Sequence, residues 1–301
     1  MIYTLTLNPS IDYVMNIDSF IDGSTLRSHD EKKFAGGKGI MVSKLLKNLG
    51  ENPINLGFLG GYTGEFIKDC LKDLKIKEDF TNISDDSRIN VKLKHGKETE
   101  INAGGPKISQ EETKNLLGKI KNIDKDSILV ISGSIPKSLD KDFYKDILDI
   151  INCDFTIDIA GKELLDYLKY KPLLVKPNID ELSEIFDIEI DMDNIFTYAR
   201  KLQQLGAKNV IVSMGKDGSI FLDEANQFIA KPVSGKLINS VGAGDSMVAG
   251  FVYGLKSGLT KKEAYSLAVA CGSATAFSLD IGKKESIYEI LEKVEVNENG
   301  N

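Results

Sequence analysis

The chain has 301 residues, 42% hydrophobic and 28% charged, with a net charge of −7 at neutral pH. Those values suit a soluble globular protein with a large core, as two modest domains or one α/β domain with extra elements, and with no basic block they speak against a nucleic-acid surface. Two histidines, His29 and His95, are too few for a histidine-rich metal site; three scattered cysteines, Cys70, Cys153 and Cys271, predict a reduced cytoplasmic setting rather than a disulfide framework.

The N-terminal "MIYTLTLNPSID" lacks the basic and long apolar regions of a signal peptide, and no apolar run nears the ~20 residues that span a bilayer. Residues 2–7 predict a buried strand. Just after it, "LNPSIDY" places Asp12 where a short carboxylate can hold sugar hydroxyls or close an Asx turn. Residues 13–34 then read as short strands and turns. "FAGGKGIMVSKLLKNLG" follows, with Gly36, Gly37 and Gly39 admitting close backbone approach and Lys38 supplying a cation at the start of a helix over 39–49. It is neither a Walker A loop nor a GxGxxG fingerprint. A tight loop with a solvated lysine is the structural alternative.

A strand over 54–58 and a helix over 65–74 come next. "RINVKLKHGKETEIN", residues 88–102, predicts a hairpin turning at His95 and Gly96. With 13–34 it makes a lid or an edge sheet. Helices over 110–120 and 196–205 alternate with strands over 127–132, 155–159, 173–176 and 209–213. This rhythm predicts an α/β fold with a doubly wound, mainly parallel sheet flanked by helices, whose ligands sit beyond the carboxyl ends of the strands.

"KPNIDELSE" ends one such strand with Asn178 and, three residues on, Glu181, on one side of a helix start and suited to ordering Mg²⁺-bound water or phosphate oxygens. "VSMGKDGSIF" brings Ser213 and Gly215 where a nucleotide phosphate can approach, or forms a plain hairpin at Asp217 and Gly218. In "NSVGAGDSMVAGF", residues 239–251, Gly242, Ala243 and Gly244 precede Asp245 at a helix mouth. Free amides there favour an anion, and the carboxylate can take a proton from a substrate hydroxyl; a simple helix cap is the alternative. Consecutive helices over 244–256 and 261–279 follow, and the polar tail "VEVNENGN" is expected to fray.

Together and in this order these stretches resemble the ribokinase/PfkB family of sugar kinases along nearly the whole chain, through "GGKG" at 36–39 and the stretch at 239–251. The resemblance implies a single ribokinase-like kinase domain over 1–301 with a small strand lid from about 13–34 and 88–102, ATP as donor, Mg²⁺ as partner and a homodimer formed through the lids. By position it makes Asp245 the base and the amides of Gly242, Ala243 and Gly244 its anion hole. Asp12, Gly36, Gly37 and Lys38 match the sugar positions, and Arg88, Arg27 and Lys38 the phosphate already on the sugar. Lys176, Asn178, Ser213, Gly215, Gly218 and Gly244 match the nucleotide side, with Asn178 and Glu181 holding magnesium through water. Within the family, "TLTLNPSIDY", "GFLGGYTGEFI" and "KPNIDEL" are most similar to kinases of phosphorylated ketohexoses, with fructose 1-phosphate as the expected substrate, tagatose 6-phosphate as the alternative and a non-catalytic sugar-phosphate sensor as the alternative of another class. Two positions depart from the family pattern: Met41 replaces an asparagine after "GGKG", and Leu26 stands where "NR" precedes the lid strand.

Overall fold

Uninterrupted Val, Ile and Leu runs need cover on both faces, which parallel strands joined by crossover helices provide. The computed structural model, which describes residues 1–96 and 98–298, has this arrangement. Its larger sheet runs in spatial order Val296–Glu298, Gln227–Ala230, Ser219–Leu222, Val210–Ser213, Leu174–Val175, Asp154–Asp158, Ile128–Ser132, Ile2–Thr6, Ile54–Gly60 and Lys77–Glu78, with Thr81–Ile83 also paired to Ile54–Gly60. Pairing is parallel from Lys77–Glu78 to Val210–Ser213; an antiparallel meander completes the other edge. The expected α/β class and strand–helix rhythm hold.

Alternate residues of one strand enter different cores. Leu129 and Ile131 join Phe58, Tyr144 and Phe155 on one face, while Val130 joins Val42, Phe221 and Phe251 on the other. Helices Lys38–Leu49 and Ala243–Lys256 both cover that second face, so their N-termini meet near the carboxyl ends of the central strands.

A second sheet of four strands has the order Asp30–Gly36, Ser10–Asn16, Arg88–Lys94, Glu98–Ile101. Segments 13–34 and 88–102 supply most of it, and Gly96, at φ 80°, makes its hairpin turn.

The strands at 77–78, 81–83, 227–230 and 296–298 go beyond the sequence reading, since two to four residues are too few to show a period, and so do the short helices Phe143–Leu148, Leu164–Tyr167 and Lys284–Leu291. The tail is corrected in part. Val296–Glu298 pairs with Gln227–Ala230 instead of fraying, because an edge strand needs only one buried side; residues 299–301 lie outside the described residues. All three cysteines are free thiols, and no helix among the described residues is long and apolar enough to cross a membrane.

Candidate active site

Helix Ala243–Lys256 starts from Gly242 in the left-handed conformation, φ 80°, where a side chain would also press on Ile281. A helix start leaves its first amides without intrahelical partners. The Ala243 amide is an exception to the expected anion hole here: it closes a turn onto the Ser240 carbonyl at 3.2 Å. Gly244 lies against the Lys176 ammonium, which an added Cβ would approach to 3.0 Å. Asp245, in the first turn, is only 9% exposed. Burial pushes its carboxyl up to about 7, the Asp158 carboxylate adds to the rise, and the Lys38 and Lys176 ammonium groups oppose it. Such a carboxyl is poised to accept a proton near neutral pH.

Lys38 is not a solvated lysine. Its Nζ lies 3.2 Å from Oδ2 of Asp158, a residue 5% exposed at the end of strand Asp154–Asp158. Asp158 raises the Lys38 pKa well above the usual ammonium value, against the opposing effect of burial. Burial would push the Asp158 carboxyl up; Lys176 and Lys38 outweigh it and hold it below the ordinary range. Sequence reasoning missed Asp158. The available signal was an acid ending an otherwise apolar strand at the sheet's carboxyl edge.

The second sheet forms one wall of a cleft of about 740 Å³, lined among others by Asp12, Gly37, Lys38, Met41, Arg88 and Asp245. Asp12 sits within strand Ser10–Asn16 rather than in a turn after the first strand. Its Oδ1 accepts from Ser10 Oγ at 2.7 Å and Asn90 Nδ2 at 3.3 Å. Gly36 leaves the space that this carboxylate fills. Arg88 is braced by backbone: Nε donates to the Asn8 carbonyl and Nη1 to the Ala103 carbonyl, both at 3.0 Å. The guanidinium has five N–H donors, so others remain for a ligand. Arg27 is exposed in the connection between strands Ser10–Asn16 and Asp30–Gly36 and is not among the residues that line this cleft.

Lys176, Asn178, Ser213, Gly215 and Gly218 lie outside the cleft lining, around the ends of Leu174–Val175 and Val210–Ser213. Asn178 and Glu181 form a reciprocal capping box. Asn178 Oδ1 accepts from the Glu181 amide at 2.7 Å, and Glu181 Oε2 from the Asn178 amide at 2.8 Å. That use of Asn178 Oδ1 argues against direct metal ligation by it. No group of three or more His, Cys, Asp or Glu side chains that could hold a metal occurs among the described residues, while Glu181 Oε1 makes no hydrogen bond to them. The donor set fits a Mg²⁺ carried on phosphate oxygens and met through water, not a protein-caged ion. Gly218 is fixed by packing, since a side chain would strike the Ala230 carbonyl; Gly215, at φ 57°, faces open space.

A family model described as pfkB family carbohydrate kinase matches residues 5–283. The chain is 44% identical to the 1-phosphofructokinase of Bacillus subtilis (strain 168), with 98% of this chain and 99% of that protein covered. It is 35% identical to the D-tagatose-1-phosphate kinase of Bacillus licheniformis, over 98% and 99% of the two chains. The crystal structure of Escherichia coli phosphofructokinase-2 in complex with fructose-6-phosphate superposes with a TM-score of 0.88 at 28% identity, covering 97% of this chain and 98% of that one. With full-length similarity of this degree, and a carboxylate at the glycine-led helix mouth in the floor of a cleft, the chain belongs to the pfkB family of carbohydrate kinases.

Proposed function

We propose that this kinase moves the γ-phosphoryl group of ATP to the free primary hydroxyl of fructose 1-phosphate, giving fructose 1,6-bisphosphate. The observation that carries the reading is Asp245: a buried carboxylate with a raised pKa at a helix N-terminus, opening on the same cleft as Asp12 and Arg88. Asp245 takes the hydroxyl proton as the new P–O bond forms. The amides at the start of its helix, with Lys38 and Lys176, offset charge on the transferring group. Asp12 holds sugar hydroxyls and Arg88 the phosphate already on the sugar. Mg²⁺, met through water by Glu181, would neutralise the nucleotide phosphates; Ser213 and Gly215 border the nucleotide.

The small sheet serves in this reading as a lid that excludes water as a competing acceptor. Its outward residues include Ile101, 57% exposed, and Ile89, which supports a homodimer formed through the lids. A cytoplasmic setting suits the three free thiols.

Initial rates with fructose 1-phosphate, fructose 6-phosphate, tagatose 6-phosphate and fructose test the reading. Fructose 1-phosphate should have the highest kcat/KM. A higher value for tagatose 6-phosphate would favour the second reading, which a 33% identical tagatose-6-phosphate kinase of Staphylococcus epidermidis supports. No turnover on any sugar phosphate would leave a binding protein.

The pH dependence follows from Asp245. Its ionised form is the base, and its carboxyl is raised to about 7. The kcat/KM should therefore level off above that pH and fall about tenfold per unit below it. A flat profile from pH 5.5 to 8 would remove Asp245 as the base.

Met41 both lines the cleft and packs on the apolar cluster beneath helix Ala243–Lys256. Its thioether is a weak acceptor and no donor, where the family's asparagine offers both functions. Met41→Asn should raise kcat/KM about threefold to tenfold with little change in melting temperature. A large loss of stability with no kinetic gain would make Met41 a packing residue only.

A further inference from the structure

Strand Arg88–Lys94 turns every second residue toward the cleft, so Arg88, Asn90 and Lys92 share one face. Lys92 is 9% exposed, an unusual degree of burial for a lysine. It is bracketed by two acids that line the same cleft. Its Nζ lies 3.5 Å from Asp12 Oδ2 and 3.3 Å from Glu100 Oε1. Glu100 is its register partner on strand Glu98–Ile101, and Asp12 is the partner of Asn90 on strand Ser10–Asn16. Three strands therefore meet at this ammonium. Burial works against its charge, and the two carboxylates more than restore it, leaving its pKa above the ordinary value.

The consequence falls on Asp12. With Ser10 and Asn90 donating to Oδ1 and Lys92 facing Oδ2, both oxygens have partners that favour one orientation of the carboxylate. A carboxylate has about four lone-pair sites, so directions remain open for hydroxyl donors in the cleft. Removing Lys92 frees Oδ2 and leaves Asp12 and Glu100 as neighbouring like charges.

We propose that Lys92 is a positioning residue for sugar recognition: held between Asp12 and Glu100, it aims the Asp12 carboxylate into the cleft and ties the edge strand Glu98–Ile101 to that task. This rests on Asp12 holding sugar hydroxyls, as proposed above.

The test is steady-state kinetics of the full chain with fructose 1-phosphate and MgATP varied in turn, for wild type, Lys92→Met, Lys92→Gln, Lys92→Arg, Asp12→Asn and the double variant Asp12→Asn with Lys92→Met. Lys92→Met should raise the sugar KM about tenfold, as expected when the cation paired with a ligand-holding carboxylate is lost, with kcat and the ATP KM within about twofold. Lys92→Arg, which keeps the cation, should restore most of the loss. In the Asp12→Asn background, Lys92→Met should add less than about twofold, because there is no carboxylate left to aim. Lys92→Gln gives the same reading should the Met variant fail to fold. An unchanged sugar KM, a parallel loss in both substrates that Arg fails to restore, or the full effect persisting without the Asp12 charge would each overturn the assignment. Wild-type protein inactive on every sugar phosphate would instead sink the functional reading on which it rests.

Discussion

Asp245→Asn is expected to lower kcat at least ~10²-fold while leaving nucleotide binding intact, since the amide keeps the carboxylate's shape but cannot accept the hydroxyl proton. The variant should also be the more stable protein. Folding raises this carboxyl from its ordinary value of 3.8 to about 7, so the folded state holds the proton more tightly than the unfolded one. Stability is therefore lost as pH climbs through that interval, and at pH 8 the buried charge is a standing cost. Asparagine removes it along with the repulsion from Asp158. The melting temperature at pH 8 should rise by a few degrees, and the gain should vanish near pH 4. Near wild-type kcat would return Asp245 to a mere first-turn residue. A lower melting temperature at pH 8 would contradict the burial argument.

Arg88→Ala should cost about 2–4 kcal/mol in kcat/KM for fructose 1-phosphate, roughly 30- to 800-fold, the scale of a lost buried charged contact. The Asn8 and Ala103 carbonyls brace the guanidinium from behind, so it is already aimed before a phosphate arrives. An aimed, planar fork suits two phosphate oxygens at once. The loss should be specific. Activity on unphosphorylated fructose should change little, so the preference for the phosphorylated sugar collapses. Unchanged discrimination between fructose and fructose 1-phosphate would mean that the phosphate is held elsewhere, with Lys38 and Lys92 as the remaining buried or half-buried cations of the cleft.

Some of this was legible in the sequence because single residues carry unusual constraints. Gly242 must take a positive φ ahead of an acid, and Gly36 must leave room for Asp12; both requirements mark the chain locally. Apolar runs such as 54–58 and 127–132 announce a buried parallel sheet for the same reason. What stayed hidden depends on pairings between distant segments. Asp158 lies 120 positions from Lys38 and carries no neighbouring motif. Lys92 looks like one more charge in the alternating pattern of "NVKLKHGK", and only the register of three strands shows it enclosed by Asp12 and Glu100. Asn178 and Glu181 show the opposite difficulty. Their spacing serves a capping box and a water-mediated ion equally well, and the structure has the capping box. Arg27 rests on its position in a pattern alone, and in this chain it is exposed and outside the cleft lining.

The central claim is transfer of a phosphoryl group to the free primary hydroxyl of fructose 1-phosphate. Phosphorus-31 NMR of the purified chain with MgATP and fructose 1-phosphate reads that step directly. Fructose 1,6-bisphosphate and ADP should appear in equal amounts as the two substrates disappear, with no inorganic phosphate released. ADP formed together with inorganic phosphate, or a bisphosphate formed only when tagatose 6-phosphate replaces fructose 1-phosphate, would contradict it.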